Sequence, residues 1–191
     1  GLRAHRKDLI PSQVINTQWL VKSIGLNKYI EQQLNPNSIP DVSLQTKLKN
    51  LEILDMETSE IFAKYPNPAA LIRRLEGNGR NNQNANNEAM PNDEDQQAER
   101  RERRQKLQKI YQEYDLKPAT QIMMQVQSSR ILRAAYSEKQ LEEVMVDFWS
   151  NHFNVYSRKG ATRWYIPSYE RDVIRKNALG NFKDLVVGTA Q

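Results

Sequence analysis

The stretch "EKQLEEVMVDFWSNHF", residues 138–153, sets the tightest limit on what this chain can fold into. Leu141, Val144, Met145, Phe148 and Trp149 recur at the i, i+3, i+4, i+7, i+8 spacing of one helical face. A strand returns to one face every second residue and cannot gather these five. The spacing therefore predicts an amphipathic helix with its apolar stripe turned toward a core. His152, one of two histidines in the chain, follows Leu141 by eleven positions. It falls about 20° from Leu141 on the helical wheel, inside the stripe. A packed histidine there would satisfy its ring nitrogens on backbone or polar neighbours.

Helical spacing recurs along the chain. Ser12 suits the cap of a helix running to about Ser23, with Gly25 as its stop. Leu26, Tyr29, Ile30 and Leu34 mark a second helix that ends before Pro36. Leu44, Leu48 and Leu51 mark a third, and Ala69, Leu71, Ile72 and Leu75 another after Pro68. Residues 99–114 read as a charged helix, and "TQIMMQVQSSRILRAAYS" as a helix with Ile122, Val126 and Leu132 or Arg133 near one face. Ser137 to Gln140 has the S-x-x-Q form of a capping box. Val155, Tyr156, Trp164, Tyr165 and Ile166 flank a turn at Gly160, which predicts an extended excursion, while Pro167 argues against a regular central strand. "YERDVIRKNALG" and "NFKDLVVGTAQ" return to helix, the last with Phe182, Leu185 and Val186 on one side. The expected fold is all-α: an irregular domain of roughly six to nine short helices with one aromatic loop or hairpin excursion.

"GNGRNNQNANNEAMPNDEDQQ" holds six asparagines between Asn78 and Asn87 and then an acidic patch. It has too little apolar surface to offset the entropy of ordering it. Residues 77–98 are thus expected to be a disordered linker or insertion. It separates short helices in 1–76 from a charged helix and further helices in 99–191. The two parts are expected to form one domain, truncated at its C-terminus.

Charge and composition limit the chemistry. The 191 residues include 28 Lys and Arg against 23 Asp and Glu, a net charge of +5, and no cysteine, which excludes disulfides and thiolate nucleophiles. No apolar run approaches the roughly 20 residues of a membrane span. Glu99 to Lys109, "ERRERRQKLQK", holds six basic and two acidic residues. It reads as a solvated helix face, or as a polyanion-binding module using Arg100, Arg101, Arg103 and Arg104. The interleaved glycines and aromatics of a nucleic-acid reader are missing from it, so nucleic acid is not the expected partner.

The candidate catalytic residues are His152, Asp147, Glu170 and Asp172. In a hydrolase-like reading a carboxylate orients the imidazole, and Ser137, Ser150 or Ser168 is the available hydroxyl. None of these serines stands in a nucleophile elbow. Asp147 lies about 140° around the helix from His152, so the pair cannot share an ion unaided. No H-E-x-x-H or paired-Asp loop is present, and neither a metal nor a cofactor is expected. The structural reading is favoured. In it Asn151 and Asn154 cap the helix end, Arg171 and Arg175 pair with Glu170 or Asp147, and this network holds the aromatic loop against the helices.

"LRAAYSEKQLEEVMVDFWSNHFNVYSRKG" followed by "YERDVIRKNALGNFKDLVVGTA" resembles the N-terminal signature region of a bacterial family known as domain of unknown function 1800. The likeness runs over most of Ser129 to Ala190, and more weakly over "IGLNKYIEQQLNPNSIPD". The resemblance implies a mostly helical protein without an established reaction, often exported and encoded beside a sulfatase-like family. From it we expect an uncharacterised helical module of a bacterial exported protein, at the periplasm or cell surface, in envelope assembly. Its partner would be that sulfatase-like protein or a C-terminal part of a longer chain. Family members are longer, and the residues before Trp19 do not resemble their opening, so the chain is expected to be a fragment. Its first residues do not form a signal peptide.

Overall fold

The computed structural model describes residues 11–75 and 93–190. Within them the fold is all-α, and no strand occurs. Ten α-helices follow one another: α1 (Pro11–Ile24), α2 (Leu26–Leu34), α3 (Val42–Leu48), α4 (Thr58–Lys64), α5 (Pro68–Leu75), α6 (Asp93–Glu113), α7 (Thr120–Tyr136), α8 (Gln140–His152), α9 (Thr162–Ser168) and α10 (Phe182–Ala190). That is one more than the top of the expected range. Gly25, at φ 86°, breaks α1 from α2 in a conformation that favours glycine. The bulk of the expected Asn-rich linker, residues 77–92, lies outside the described residues. Its end does not match, because α6 already begins at Asp93.

The aromatic excursion is helical on its second arm. Gly160 does sit in a turn, at φ 54°, and the Thr162 hydroxyl donates to the Tyr156 and Lys159 carbonyls. Trp164, Tyr165 and Ile166, however, lie in α9 rather than in a hairpin strand. The spacing explains it: Trp164 and Ile166 are buried while Tyr165 is exposed, a pattern that fits two periods over three residues. Pro167 stands inside α9, and the chain continues as a π-helical segment, Tyr169–Arg175. Proline cannot donate to the preceding turn, and a wider turn is one way to accommodate it. The wide turn also keeps Ile166, Glu170, Ile174 and Ala178 buried at steps of four.

Two apolar clusters organise the packing. One gathers Ile53, Ile61, Tyr65, Ala119, Ile122, Val126, Trp164 and Ile166 where α4, α7 and α9 meet. The other gathers Val146, Ile174, Ala178 and Leu185 between α8, the π segment and α10. In α10 the expected apolar side is split: Leu185 is buried and Phe182 is exposed. The N-terminal helices are tied to the later ones: α3 packs on α7, α4 on α9 and α2 on α8.

Helices this short cannot persist alone, so polar ties between them matter. Buried Gln33 of α2 donates to the Glu138 carbonyl at 2.9 Å and accepts the Leu141 N–H at 3.1 Å. Buried Asp41 accepts the Ser137 hydroxyl at 2.6 Å and the Glu138 N–H at 3.2 Å. Ser137 is therefore not the reciprocal capping box its spacing suggested. Its hydroxyl receives the Lys139 N–H, and the Gln140 amide reaches the Ser137 carbonyl rather than its N–H.

A third tie runs through Glu52. Its carboxylate receives the Tyr65 phenol at 2.5 Å and the Lys117 ammonium at 2.6 Å, with Lys64 at 3.3 Å. Gln125 donates to the same phenol oxygen at 2.9 Å. The Lys117 and Tyr65 hydrogen bonds hold the Glu52 pKa down at about 2, whereas burial and the bond to Glu52 push Tyr65 up to about 12. Because the folded-state pKa of Glu52 is depressed from 4.5, its contribution is present above pH 4.5 and lost as pH falls toward 2. We expect about 1–2 kcal/mol, after allowing for solvent screening of this part-exposed carboxylate. Glu52→Gln should melt below the parent at neutral pH, and the gap should close between pH 4.5 and 2. A gap unchanged across that window, followed by circular dichroism, would remove Glu52 from the account.

Candidate functional site

α8 turns a different face inward from the one its sequence predicts. Val146 is 4% exposed and is the buried residue of the helix. It lies about 140° around the wheel from Leu141. Glu142 and Glu143 share its inward side, their side chains 19% and 9% exposed. The apolar edge faces out instead: Phe148 is 53% exposed, and Val144 and His152 are exposed as well. Leu141, Met145 and Trp149 are half-buried between the two sides.

Arginines hold the glutamates in. Arg175 of the π segment grips Glu143 with both prongs of its guanidinium, at 2.8 and 2.9 Å, and lies 3.9 Å from Glu142. Arg133 of α7 stands 3.8 Å from Glu143. Arg130, also on α7, binds buried Glu170 at 2.7 and 2.8 Å. Three arginines thus meet three glutamates where α7, α8 and the π segment converge. Burial opposes the Arg175 charge, but the hydrogen bonds and field of Glu143 outweigh it and raise its pKa. Burial and the neighbouring Arg175 charge lower that of Arg133, against the pull of Glu143, Glu170 and Glu142.

The sequence-derived site residues separate in space. His152 is exposed rather than seated in a core, because the edge of the stripe that carries it, with Val144 and Phe148, faces out, while Met145 and Trp149 pack against the smaller cluster. Its ring stacks near Phe148 at 6.2 Å and meets Phe153 edge-on at 4.7 Å. Glu170 is buried against Arg130, and exposed Asp172 takes both prongs of its neighbour Arg171. Asp147 is exposed, and its carbonyl accepts the Asn151 amide. Asn154 is exposed with no hydrogen bond among the described residues. Arg175 does join a network, with Glu143 rather than Glu170 or Asp147. Arg171 braces a different place: it donates to the Leu54 and Met56 carbonyls at 3.1 and 2.9 Å. Arg100, Arg101, Arg103 and Arg104 are exposed on α6. The start of the aromatic loop is held by the Tyr169 hydroxyl on the Phe153 carbonyl, and the Trp149 indole ties α8 to the Ala178 carbonyl.

The sequence reading missed Arg130, Glu142 and Glu143, and placed Arg133 near the inner face of α7 without giving it a partner. A signal was present: two adjacent glutamates early in α8, with arginines three apart on α7 and four apart at 171 and 175. Helical spacing alone does not say which charged side will be buried.

The candidate site is therefore a surface: the outward edge of α8, bounded at one end by α2 and at the other by α10. Beside Leu141, Tyr29, Ile30 and Gln33 line a small apolar cavity of about 290 Å³. At the far end the Phe182 ring lies 5.7 Å from Trp149, itself 4.8 Å from Phe148. Among the described residues no helix is long and apolar enough to cross a membrane, and no group of three or more His, Asp or Glu is placed to hold a metal ion. Such an all-helical unit with an apolar outer edge has a family. The family described as "Protein of unknown function (DUF1800)" matches residues 17–191, and the chain belongs to it. No curated protein and no solved structure matches the chain.

Removing one partner of the interior network leaves a buried charge uncompensated. Arg175→Met should destabilise the protein by about 3 kcal/mol, and adding Glu143→Gln should recover part of that loss. His152→Ala should change stability by less than about 0.5 kcal/mol, as an exposed position does. Urea titrations of the four proteins check this. A loss at His152 comparable to that at Arg175 would contradict the placement of both.

Proposed function

We propose that this chain is a non-catalytic helical module of an exported protein, acting in envelope or cell-surface assembly by holding a partner polypeptide. One observation carries the binding role: α8 spends its glutamates on the interior and leaves Val144, Phe148 and His152 outside. Apolar side chains that could have closed a core instead form a contiguous edge, extended by Phe182 and Val186 of α10 and by Ile30 of α2. Contiguous apolar surface of this kind marks interaction sites. Its one-helix width and its aromatic anchors suit an amphipathic helix laid along α8. Export and an envelope role rest on the family resemblance alone, and a sulfatase-like protein encoded nearby, or a further part of a longer chain, is the partner that the resemblance suggests.

A photo-reactive amino acid at Phe148, introduced into the full gene in its own host, tests both halves. We expect the protein in an envelope fraction, with a cross-link to one discrete polypeptide that disappears when the probe is moved to exposed Glu60. A cytosolic protein would sink the localisation. Equal labelling from both positions would sink the binding edge.

A further inference from the structure

A second surface lies on α6, away from that edge. The helix has 21 residues and spans about 31 Å, whereas α5, packed against it, has 8 and spans about 12 Å. Their inner ends are held together, since the Lys117 N–H donates to the Lys64 carbonyl at 2.8 Å, just beyond α6 and just before α5. The first turns of α6 therefore reach well past the end of α5. Toward its C-terminal end, Leu107, Ile110 and Tyr111 are half-buried, while Arg100, Arg101, Arg103 and Arg104 are exposed.

Between residues 100 and 109 the arginines and the carboxylate of this helix are sorted to different sides. At about 100° per residue, Arg100, Arg101, Arg103 and Arg104 fall within one sector, with Gln97 and Gln108 among them. Glu102, the only carboxylate between residues 100 and 109, falls on the other side and is paired with Lys106 at 2.9 Å. Arg100 and Arg104 stand one turn apart, about 6 Å along the axis. Arg73 and Arg74 add two exposed arginines on the last turn of α5.

We infer that the arginine face of α6 binds an acidic polysaccharide. Arginine presents a planar fork of donors that matches sulfate and carboxylate groups, and a row of such forks matches a repeating anion. Exposed Gln97 and Gln108 place neutral amides among the arginines, where they suit sugar hydroxyls. Among the described residues of α6 itself the sector has no exposed aromatic ring on which a nucleic-acid base could stack, since Tyr111 is half-buried; exposed Tyr114 stands beyond the helix, about 15 Å along the axis from Arg104. It has no exposed apolar wedge for a bilayer either, since Leu107 is half-buried too. Positive charge and amides, with no exposed ring among the arginines, together fit a glycan best.

The test uses the purified full chain with a fluorescent heparin oligosaccharide as probe, titrated over a range of salt. Arg100→Gln/Arg104→Gln is compared with Lys28→Gln/Lys109→Gln, which removes the same charge from exposed positions off the arginine face. Gln keeps the helix, and unchanged circular dichroism confirms it. We expect the arginine pair to lose about tenfold in affinity and to flatten the salt dependence, and the lysine pair to lose about twofold or less. Equal losses in the two variants would overturn the inference, as would no binding of heparin. Tighter binding to single-stranded DNA or to phosphatidylglycerol vesicles than to heparin would overturn it in favour of those partners.

Discussion

The two-pronged grip of Arg175 on Glu143 decides how α8 sits, and much else follows from that. A glutamate drawn out of water needs compensation at close range, and a guanidinium that approaches through both prongs supplies charge and geometry together. Arg133, Arg130, Glu142 and Glu170 complete a balanced set around it, so no member is left alone in the interior. α8 can bury a face with two carboxylates only because α7 and the π segment bring arginines to meet it. The π segment is part of the same device. Its wide turn keeps Glu170 and Ile174 inward, while Arg171 reaches the Leu54 and Met56 carbonyls on another side.

Polar cross-links recur wherever short helices meet. Gln33 and Asp41 tie the first helices to the turn between α7 and α8, and Glu52 draws Tyr65, Lys64 and Lys117 together beside the larger apolar cluster. The apolar clusters are small, so these ties specify which helix lies against which. The apolar residues that the interior does not use are displayed on α8, α10 and α2.

The helices themselves were legible in the sequence, because Pro, Gly and the 3.6-residue period mark their ends and faces. Gly25, Pro36 and Pro68 fall at boundaries, and the α7 residues Ile122 and Val126 are buried as their spacing implies. What the period could not give was the side that faces in. For α8 the stripe was correctly located on the helix and its Met145 and Trp149 do pack inward, but Val144 and Phe148 were assigned to the wrong environment, since a wheel weighs Phe148 against Glu143 without knowing that Arg175 lies across from the glutamate. His152 was misplaced for the same reason. In "RWYIPS" the pattern was too short to separate strand from helix, and Pro167, which argued only against a regular central strand, stands where the chain widens its helix.

The absence of cysteine makes the central claim open to direct measurement, because any single cysteine introduced is the only thiol in the chain. Val146→Cys and Phe148→Cys place that thiol on the two opposed sides of α8. If the arginine–glutamate network sets the helix as described, a water-soluble maleimide should label position 148 near the rate of an unfolded control and position 146 at least about a hundredfold more slowly, since labelling there awaits an opening of the packed interior. Protection at 148 with rapid labelling at 146 would mean that α8 buries its apolar stripe after all, and would contradict the account.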